Sequence, residues 1–291
     1  MLRSAITSEV GCDAGGKQSG SLRLPHSVHR SAYGVIPVPI TVIRNGDGPT
    51  LVVTAGVDGH EYEGQIAAAA LARDLAPLDI AGRLIPLPML NLPAAEAGLR
   101  TSPVDNGTLD GLFPGDATGT PTAVIARWHE DVLMPMADFA VDLPSGGASL
   151  DYPATLLRGP AHTPDEASGP RTRQAAFDLP DTWRVTGGGG TESTACTAIG
   201  AANRKGGVNV MAKLGGGGRV TSAILGRAER RLRRVLHALG MLPGYASDAT
   251  RGTRVVEAVG LVEAHDPGMF EALKAIGKPV TRGGAVARLH H

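Results

Sequence analysis

The hydrophobic pattern of the chain alternates between short apolar runs and longer helical segments from about residue 35 onward. Residues 35–44 (VIPVPITVIR) are rich in β-branched residues and alternate in polarity, and the turn residues 45–49 separate them from the apolar run 50–54. This pattern predicts a β-hairpin that leads into a buried strand. The Ala-rich segment 65–75 then carries Ile and Leu at helical spacing, and the apolar run 82–88 predicts another strand, so that the order predicts a βαβ unit.

Two further cycles of strand and helix follow in the sequence. A helix is predicted over 120–135 and a strand over 139–143. The third cycle predicts a helix over 193–204, a strand over 208–214 and a basic amphipathic helix over 219–239. Strands that alternate with helices in this way predict an α/β fold. Its sheet is mixed and largely parallel and is covered on both faces, as in a three-layer α/β/α sandwich.

The ends of the chain lack this alternation. Residues 1–32 are polar and turn-rich and predict an N-terminal extension, whereas residues 33–250 hold the α/β domain. Residues 251–291 return to short strands and turns, which predicts a partial β-rich C-terminal module. Residues 159–192 are rich in Gly, Pro, Thr and Asp without a sustained period, so a long loop or an insertion is expected there.

Composition narrows the class of partner. The chain has 28 acidic and 28 basic residues, so no field of one sign is expected to attract nucleic acid or an anionic membrane. A small-molecule or peptide-like substrate is therefore expected instead. Cys12 and Cys196 lie far apart and form no metal or redox motif. The sequence shows neither a signal-peptide core nor a run of about 18 apolar residues, which predicts a cytoplasmic protein without a membrane span.

Three of the predicted strands end in unusual loops. These loops are Gly56–Gly64 (GVDGHEYEG), Pro144–Gly147 and Gly215–Gly218. Ligands of open α/β sheets bind beyond the carboxyl ends of the strands, so the loops form one site if the three strands are parallel neighbours. The glycine runs at 187–190 and 215–218 lack the spacing of phosphate-binding loops and are interpreted as flexible loops.

Several motifs occur in the order of a known family. They are TAGVDGHEYEG at 54–64, NLPA at 91–94, RTSPVD at 100–105, FPG at 113–115, VDLPSGG at 141–147 and KLGGGG at 213–218. Together they resemble the succinylglutamate desuccinylase/aspartoacylase family of zinc-dependent amide hydrolases. The block from LRLPHSVHR to RNGDGPT resembles more narrowly the N-acetyl-diaminobutyrate deacetylases of ectoine degradation. The resemblance implies a zinc carboxypeptidase-like sandwich with a C-terminal β module that is truncated here.

The resemblance also implies a zinc site and its substrate contacts. The family's ligands are two histidines and a glutamate, a later glutamate is the general base, and an Asn-Arg pair contacts the substrate. Here Asp58 stands at the first histidine position, with His60 displaced within the loop, while Glu61 is retained. Pro144 occupies the third ligand position and offers no side-chain donor atom. Asp58 and Glu61 are therefore the metal ligands that remain.

The base and substrate positions are substituted as well. Lys213 stands at the general-base position, where an ammonium replaces a carboxylate. Asp110 and Gly111 replace the Asn-Arg pair, which removes a bidentate guanidinium, and Arg100 matches a family arginine that addresses a substrate carboxylate. Residues around these positions match the family pattern, so the changes concentrate on the chemistry.

Each of these residues has a second interpretation. Asp58, His60 and Glu61 could hold a divalent ion, or the loop acids could favour the N-terminus of the next helix. Lys213 could be a catalytic lysine, or an ion-paired ammonium at the position of the metal charge. Two functions follow. The first is a deacylase of small N-acyl amino acids whose degenerate site has weak or no activity, and the second is a non-catalytic binding or assembly protein.

Overall fold

The computed structural model describes residues 4–158, 176–184, 196–205, 207–248, 252–256 and 262–291. The helices within these ranges are α1 (Tyr62–Asp74), α2 (Leu92–Ala97), α3 (Pro121–Trp128), α4 (Ala198–Arg204) and α5 (Ser222–Ala238). A π-helical turn (His129–Leu133) and a 3-10 turn (Met134–Met136) continue α3, and another 3-10 turn lies at Pro77–Asp79. The strands are β1 (Thr7–Ser8), β2 (Gly16–Pro25), β3 (Val35–Asn45), β4 (Thr50–Thr54), β5 (Gly82–Leu87), β6 (Phe139–Asp142), β7 (Thr155–Arg158), β8 (Asp181–Arg184), β9 (Asn209–Lys213), β10 (Arg254–Val256), β11 (Met269–Ala272) and β12 (Ala287–His290).

A mixed sheet forms the centre of the described structure, in the strand order β1-β2-β3-β5-β4-β6-β9-β7-β8-β10. Strands β5, β4, β6 and β9 run parallel to one another, and strands β7, β8 and β10 form a second parallel group. The edge formed by β1, β2 and β3 is antiparallel, and β7 runs antiparallel to β9. The predicted α/β class and its mixed, largely parallel sheet are therefore confirmed.

Side chains that alternate along the central strands build a core on each face of the sheet. Leu51 and Val53 of β4 point into the cluster that contains residues of α1 and α5, whereas Val52 points into the cluster that contains residues of α3 and α4. All three are fully buried, with 0% of their surface exposed. A strand that is buried on both faces needs helices on both sides, which gives the three-layer α/β/α arrangement.

The predicted hairpin between β3 and β4 is wrong. Strand β5 lies between them, because it pairs antiparallel with β3 and parallel with β4. The parallel connection from β4 to β5 crosses over through α1, as βαβ units require. Gly48 and Gly82 let the two chains approach so closely that a Cβ atom on Gly48 would lie 2.9 Å from the Cα of Gly82. The turn chemistry at 45–49 therefore separates strands that are not neighbours.

The chain ends contribute to the main sheet. In the predicted extension 1–32, β2 pairs with β3 along its whole length. Strand β10 lies just past residue 250 and pairs with β8, while β11 and β12 form a separate two-stranded sheet. The domain boundaries stay predictions. Of the segment 159–192, the described part contains β8, and the rest, including the glycine run 187–190, lies outside the described residues.

Among the described residues, we find no helix whose length and hydrophobicity would allow it to span a membrane.

Candidate functional site

The three unusual loops meet at one edge of the sheet. Strands β4, β6 and β9 are parallel neighbours, so their carboxyl ends lie side by side. The backbone N–H of Leu214 donates to the carbonyl of Pro144 at 3.0 Å, and that of Gly146 donates to the carbonyl of Gly215 at 3.0 Å. The predicted convergence of the loops is confirmed, and its cause is the parallel order of the strands.

The loop that carries the acids is held against the second loop. Gln65 on α1 donates to the carbonyl of Gly59 at 3.0 Å, which fixes the loop ahead of the helix. The His60 ring lies against Gly147, where a Cβ atom would come within 2.3 Å of Nε2. Gly147 also has φ 59°, a conformation that favours glycine. Glycine is therefore needed at this contact for space and for backbone shape.

Glu61 occupies the N-cap position of α1 without capping the helix through its side chain. Its carboxylate instead lies 4.0 Å from the Nζ of Lys213, and only 5% of the residue is exposed. Helix capping therefore does not explain this acid. Glu63 lies in the first turn of α1, where a negative charge interacts favourably with the helix dipole.

Lys213 ends β9 and projects its ammonium among the three loops. Nζ donates to the backbone carbonyl of Ser145 at 3.1 Å and lies 4.9 Å from the centre of the Tyr152 ring. The ring face attracts a cation, so an acid, a carbonyl and an aromatic ring surround this ammonium. Of the predicted site residues, Lys213 and Glu61 are thus brought together.

Burial dominates the titration of two acids in the site. Burial raises the pKa of Glu61 to about 9, against the opposing effect of the Lys213 ammonium. Burial also raises the pKa of Asp142 to about 7, and the charge of Asp110 raises it further. The Thr54 hydroxyl donates to Asp142 at 3.0 Å and favours its ionised form. In the arrangement described, burial therefore favours the neutral form of the Glu61 carboxyl group.

Asp58 pairs with the arginine that the sequence suggested for substrate binding. The Nε of Arg100 lies 3.4 Å from Oδ2 of Asp58, and Thr108 donates to Oδ1 at 3.4 Å. Burial raises the pKa of Asp58, while Arg100 is the largest of the effects that lower it. Arg100 therefore reaches the site, and its guanidinium is engaged by this carboxylate.

Asp110 and Gly111 lie next to the same edge. The N–H of Gly111 donates to the carbonyl of Cys196 at 2.9 Å, which ties this loop to the segment ahead of α4. Gly111 has φ 111°, where side chains are rarely accommodated. An arginine at this position would strain the backbone, so the local loop shape suits the glycine that is present.

The donor set does not fit zinc. Structural and catalytic zinc sites need at least three ligands of the Cys, His, Asp or Glu type in one place. The described residues contain no group of three such side chains that could hold a metal ion. Pro144 offers only its carbonyl, which Leu214 occupies, and the Nζ of Lys213 is a cation beside Glu61. An ammonium repels a divalent ion at this position.

Two contributors to the site are not among the residues that the sequence indicated. Asp142 is buried and has a raised pKa, and its place at the end of a predicted buried strand is the signal that points to it. Nothing local in the sequence indicates that the Tyr152 ring reaches Lys213. That contact depends on the pairing of Thr155 with Lys213, which brings β7 beside β9.

Known proteins resemble this chain over nearly all of its length. A curated relative from Halomonas elongata, N-alpha-acetyl-L-2,4-diaminobutyric acid deacetylase, is 36% identical over 99% of this chain and 84% of the relative. A succinylglutamate desuccinylase structure from Silicibacter sp. TM1040 has 35% identity and a TM-score of 0.93, with 100% of this chain and 87% of that chain covered. A product-bound structure of the ectoine utilization protein EutE (DoeB) from Ruegeria pomeroyi has 35% identity and a TM-score of 0.91, with 99% and 87% covered.

The family model of the succinylglutamate desuccinylase/aspartoacylase catalytic domain matches residues 47–239. This range contains β4, β6 and β9 with the three loops that follow them. The chain therefore belongs to the succinylglutamate desuccinylase/aspartoacylase family, a family of amide deacylases that act on acyl amino acids.

Proposed function

We propose that this chain is a deacylase relative with weak or no amide hydrolase activity, in which the ammonium of Lys213 takes the place of a metal cation. The observation that carries this proposal is the position of Lys213 Nζ, 3.1 Å from the Ser145 carbonyl and 4.0 Å from Glu61. A cation held there by the protein itself disfavours a second, divalent cation at the same edge.

The protonation states of the site residues support the same conclusion. A general base must be unprotonated to accept a proton from water, and Lys213 can only donate hydrogen bonds while it is charged. Glu61 has a pKa of about 9, so it is protonated at pH 7. Asp142 has a pKa of about 7, but only 3% of the residue is exposed and its carboxylate is bonded to Thr54. No one of these three groups is an accessible base at neutral pH.

The substrate contacts are weakened in parallel. Arg100 is paired with Asp58, and Asp110 and Gly111 supply no guanidinium at the position of the family's Asn-Arg pair. A carboxylate-bearing substrate gains most from a bidentate arginine, so its loss lowers affinity as well as rate. If activity persists, we expect a small N-acyl amino acid as the substrate, in line with the named relatives.

Metal analysis combined with a deacetylation assay tests the proposal. The purified chain is analysed for zinc, then titrated with zinc by calorimetry and assayed with N-alpha-acetyl-L-2,4-diaminobutyric acid. The Halomonas elongata deacetylase serves as the positive control. We expect substoichiometric zinc and a rate close to that of buffer. One tightly bound zinc per chain together with turnover comparable to that of the control would overturn the proposal.

A second candidate function is a non-catalytic binding or assembly protein. The observation that favours it is the retention of the scaffold, since the described fold matches the Silicibacter structure with a TM-score of 0.93 while the site chemistry is substituted. Binding of N-acetyl-diaminobutyrate or diaminobutyrate by calorimetry, without turnover, would favour this candidate over a weak enzyme.

A further inference from the structure

Four arginine side chains line a cleft beside α5. It measures about 490 Å³, which is the size of a site for a small molecule. One wall consists of four arginines of α5, namely Arg227, Arg230, Arg231 and Arg234. The lining also includes Asp178, Tyr245 and Asp248. None of the residues that line this cleft is Asp58, Glu61 or Lys213, so it is separate from the candidate site.

The arginine wall follows from helical spacing. Positions 230, 231 and 234 follow position 227 by three, four and seven residues, which places all four on one face of the helix. Arg233 lies on the same helix but does not line the cleft, because its position points to another face. The arginine cluster therefore belongs to one face of α5 and does not simply reflect the many basic residues of this helix.

Two of the four arginines hold the wall in place. Arg231 pairs with Asp178 at 2.5 Å. Arg234 donates to the carbonyls of Ala176 and Asp248, at 3.2 Å and 2.6 Å. Only 7% of the Arg234 side chain and 3% of the Asp178 side chain are exposed, so these contacts are structural. They anchor α5 to the segment that leads into β8.

The other two arginines face the cleft without a carboxylate partner in the described ranges. Arg227 and Arg230 are exposed and make no ion pair or hydrogen bond to another described side chain. Four guanidinium groups and two aspartates line the cleft, which leaves a formal charge of +2. A concave site with two guanidinium groups that have no carboxylate partner among the described residues is suited to a dianion.

We propose that this cleft binds a small phosphate-bearing molecule through Arg227 and Arg230. A phosphate group carries nearly two negative charges at neutral pH, which matches the formal charge of the cleft. Guanidinium groups also donate two parallel hydrogen bonds to phosphate oxygens. Leu179, Pro180 and Tyr245 also line the cleft and offer apolar surface against which the remainder of such a ligand can pack.

The shape of the site and the charge of the chain favour a small molecule over nucleic acid. Nucleic-acid binding needs a continuous basic surface, whereas the acidic and basic residues of this chain balance at 28 each. The arginines instead line a cleft of about 490 Å³, a volume that suits a small molecule.

Calorimetric titration of the full chain with inorganic phosphate and pyrophosphate tests the assignment, at constant ionic strength set with sodium chloride. We expect saturable binding of both ions, with pyrophosphate the tighter. The variants Arg227→Gln and Arg230→Gln should each weaken pyrophosphate binding by about tenfold, the loss expected for one charged hydrogen bond. Arg233→Gln is the matched control on the same helix and should bind as the unmodified chain does.

Three results would overturn the proposal. The first is no saturable binding of phosphate or pyrophosphate by the folded chain, and the second is equal weakening in all three variants. The third is citrate or duplex DNA binding that is as tight as pyrophosphate binding and is lost in the Arg227 and Arg230 variants, which would assign the cleft to carboxylates or to nucleic acid. Circular dichroism and a thermal melt of each variant establish that the substitutions leave the fold intact.

Discussion

At the scale of single residues, burial decides the charge state of the site more than the residue types do. Glu61 stands at a metal-ligand position by resemblance to the family, yet burial raises its pKa to about 9. Lys213 lies near enough to oppose this shift without cancelling it. A carboxyl group and an ammonium that are adjacent in the fold therefore do not amount to a full ion pair at pH 7.

The raised pKa of Glu61 makes stability depend on pH. Its unfolded pKa is near 4.5, so between pH 4.5 and about 9 the folded state binds more protons than the unfolded state. The free energy of unfolding should therefore fall as pH rises through this window. We expect Glu61→Gln to flatten the fall and to raise the melting temperature at pH 9 by several degrees, with little change at pH 4.5. Thermal melts at both pH values check this, with the exposed Glu96→Gln as the control, and an unchanged slope in Glu61→Gln would contradict it.

At the scale of elements, the π-helical turn after α3 joins the two helices on one face of the sheet. Arg204 at the end of α4 donates to both carboxylate oxygens of Glu130 in this turn, at 2.8 Å and 2.7 Å. The Glu130 side chain is only 4% exposed. The adjacent His129 is buried against the edge of the Phe113 ring, with 5.2 Å between the ring centres. The turn therefore buries two groups that would charge in water.

Removal of the arginine should leave the buried Glu130 without its bidentate partner. We expect Arg204→Met to lower the free energy of unfolding by about 2 kcal/mol, less than for a fully buried pair because 35% of the Arg204 side chain is exposed. The matched control is Arg73→Met, which removes the exposed pair with Asp74 at 2.6 Å and should leave stability unchanged. Urea unfolding measures the free energy of unfolding of both variants. An equal decrease in the two would show that the buried pair contributes no more to stability than the exposed pair does.

His129 should set an acid limit on stability. Burial lowers the pKa of His129 to about 4, below its unfolded value of 6.5. Between these values the unfolded state binds more protons, so the free energy of unfolding should decrease as pH falls from 6.5 to 4. We expect His129→Leu to reduce this decrease, and the exposed His265→Leu to leave it unchanged. Melting temperatures at pH 4.5 and 7 test the difference, and a parallel decrease in all three proteins would rule out His129 as the cause.

At the scale of the whole molecule, the sheet brings together loops that lie far apart in the chain. Loops at 56–64, 144–147 and 215–218 meet because β4, β6 and β9 are parallel neighbours. The scaffold is thus arranged as in a succinylglutamate desuccinylase structure, with a TM-score of 0.93, while Asp58, Pro144 and Lys213 are the positions at which we propose that the chemistry differs from the family. Scaffold and chemistry can therefore be tested separately.

Restoration of the family's residues should recover metal binding if the scaffold is competent. The set comprises Asp58→His, His60→Asp, Pro144→His, Lys213→Glu and Asp110→Asn. We expect this variant to bind one zinc per chain and to deacetylate N-alpha-acetyl-L-2,4-diaminobutyric acid faster than the unmodified chain. Addition of Gly111→Arg should lower stability by about 1–3 kcal/mol, because residue 111 has φ 111°. Metal analysis and an activity assay measure the outcome, and a folded variant without zinc would locate the defect outside these positions.

The local pattern predicted much of the fold and left part of the site open. The apolar runs that became β4, β6 and β9, and the helices α1, α3 and α5, were predicted because buried strands and amphipathic helices leave a periodic signal in the sequence. The same local signal failed at 45–49, where good turn residues indicated a hairpin that β5 prevents. Strand pairing depends on partners distant in sequence, which turn chemistry does not report.

The sequence by itself determined the family and the α/β class, because residue types and their order are local information, and the resemblance predicted the substitutions at Asp58, Pro144 and Lys213. Only the tertiary structure decided that Lys213 lies against Tyr152 and that Glu61 holds its proton at neutral pH. It alone also placed four arginines of α5 around a cleft. These features depend on burial and on distances between residues far apart in the chain, which arise only when the strands and helices pack.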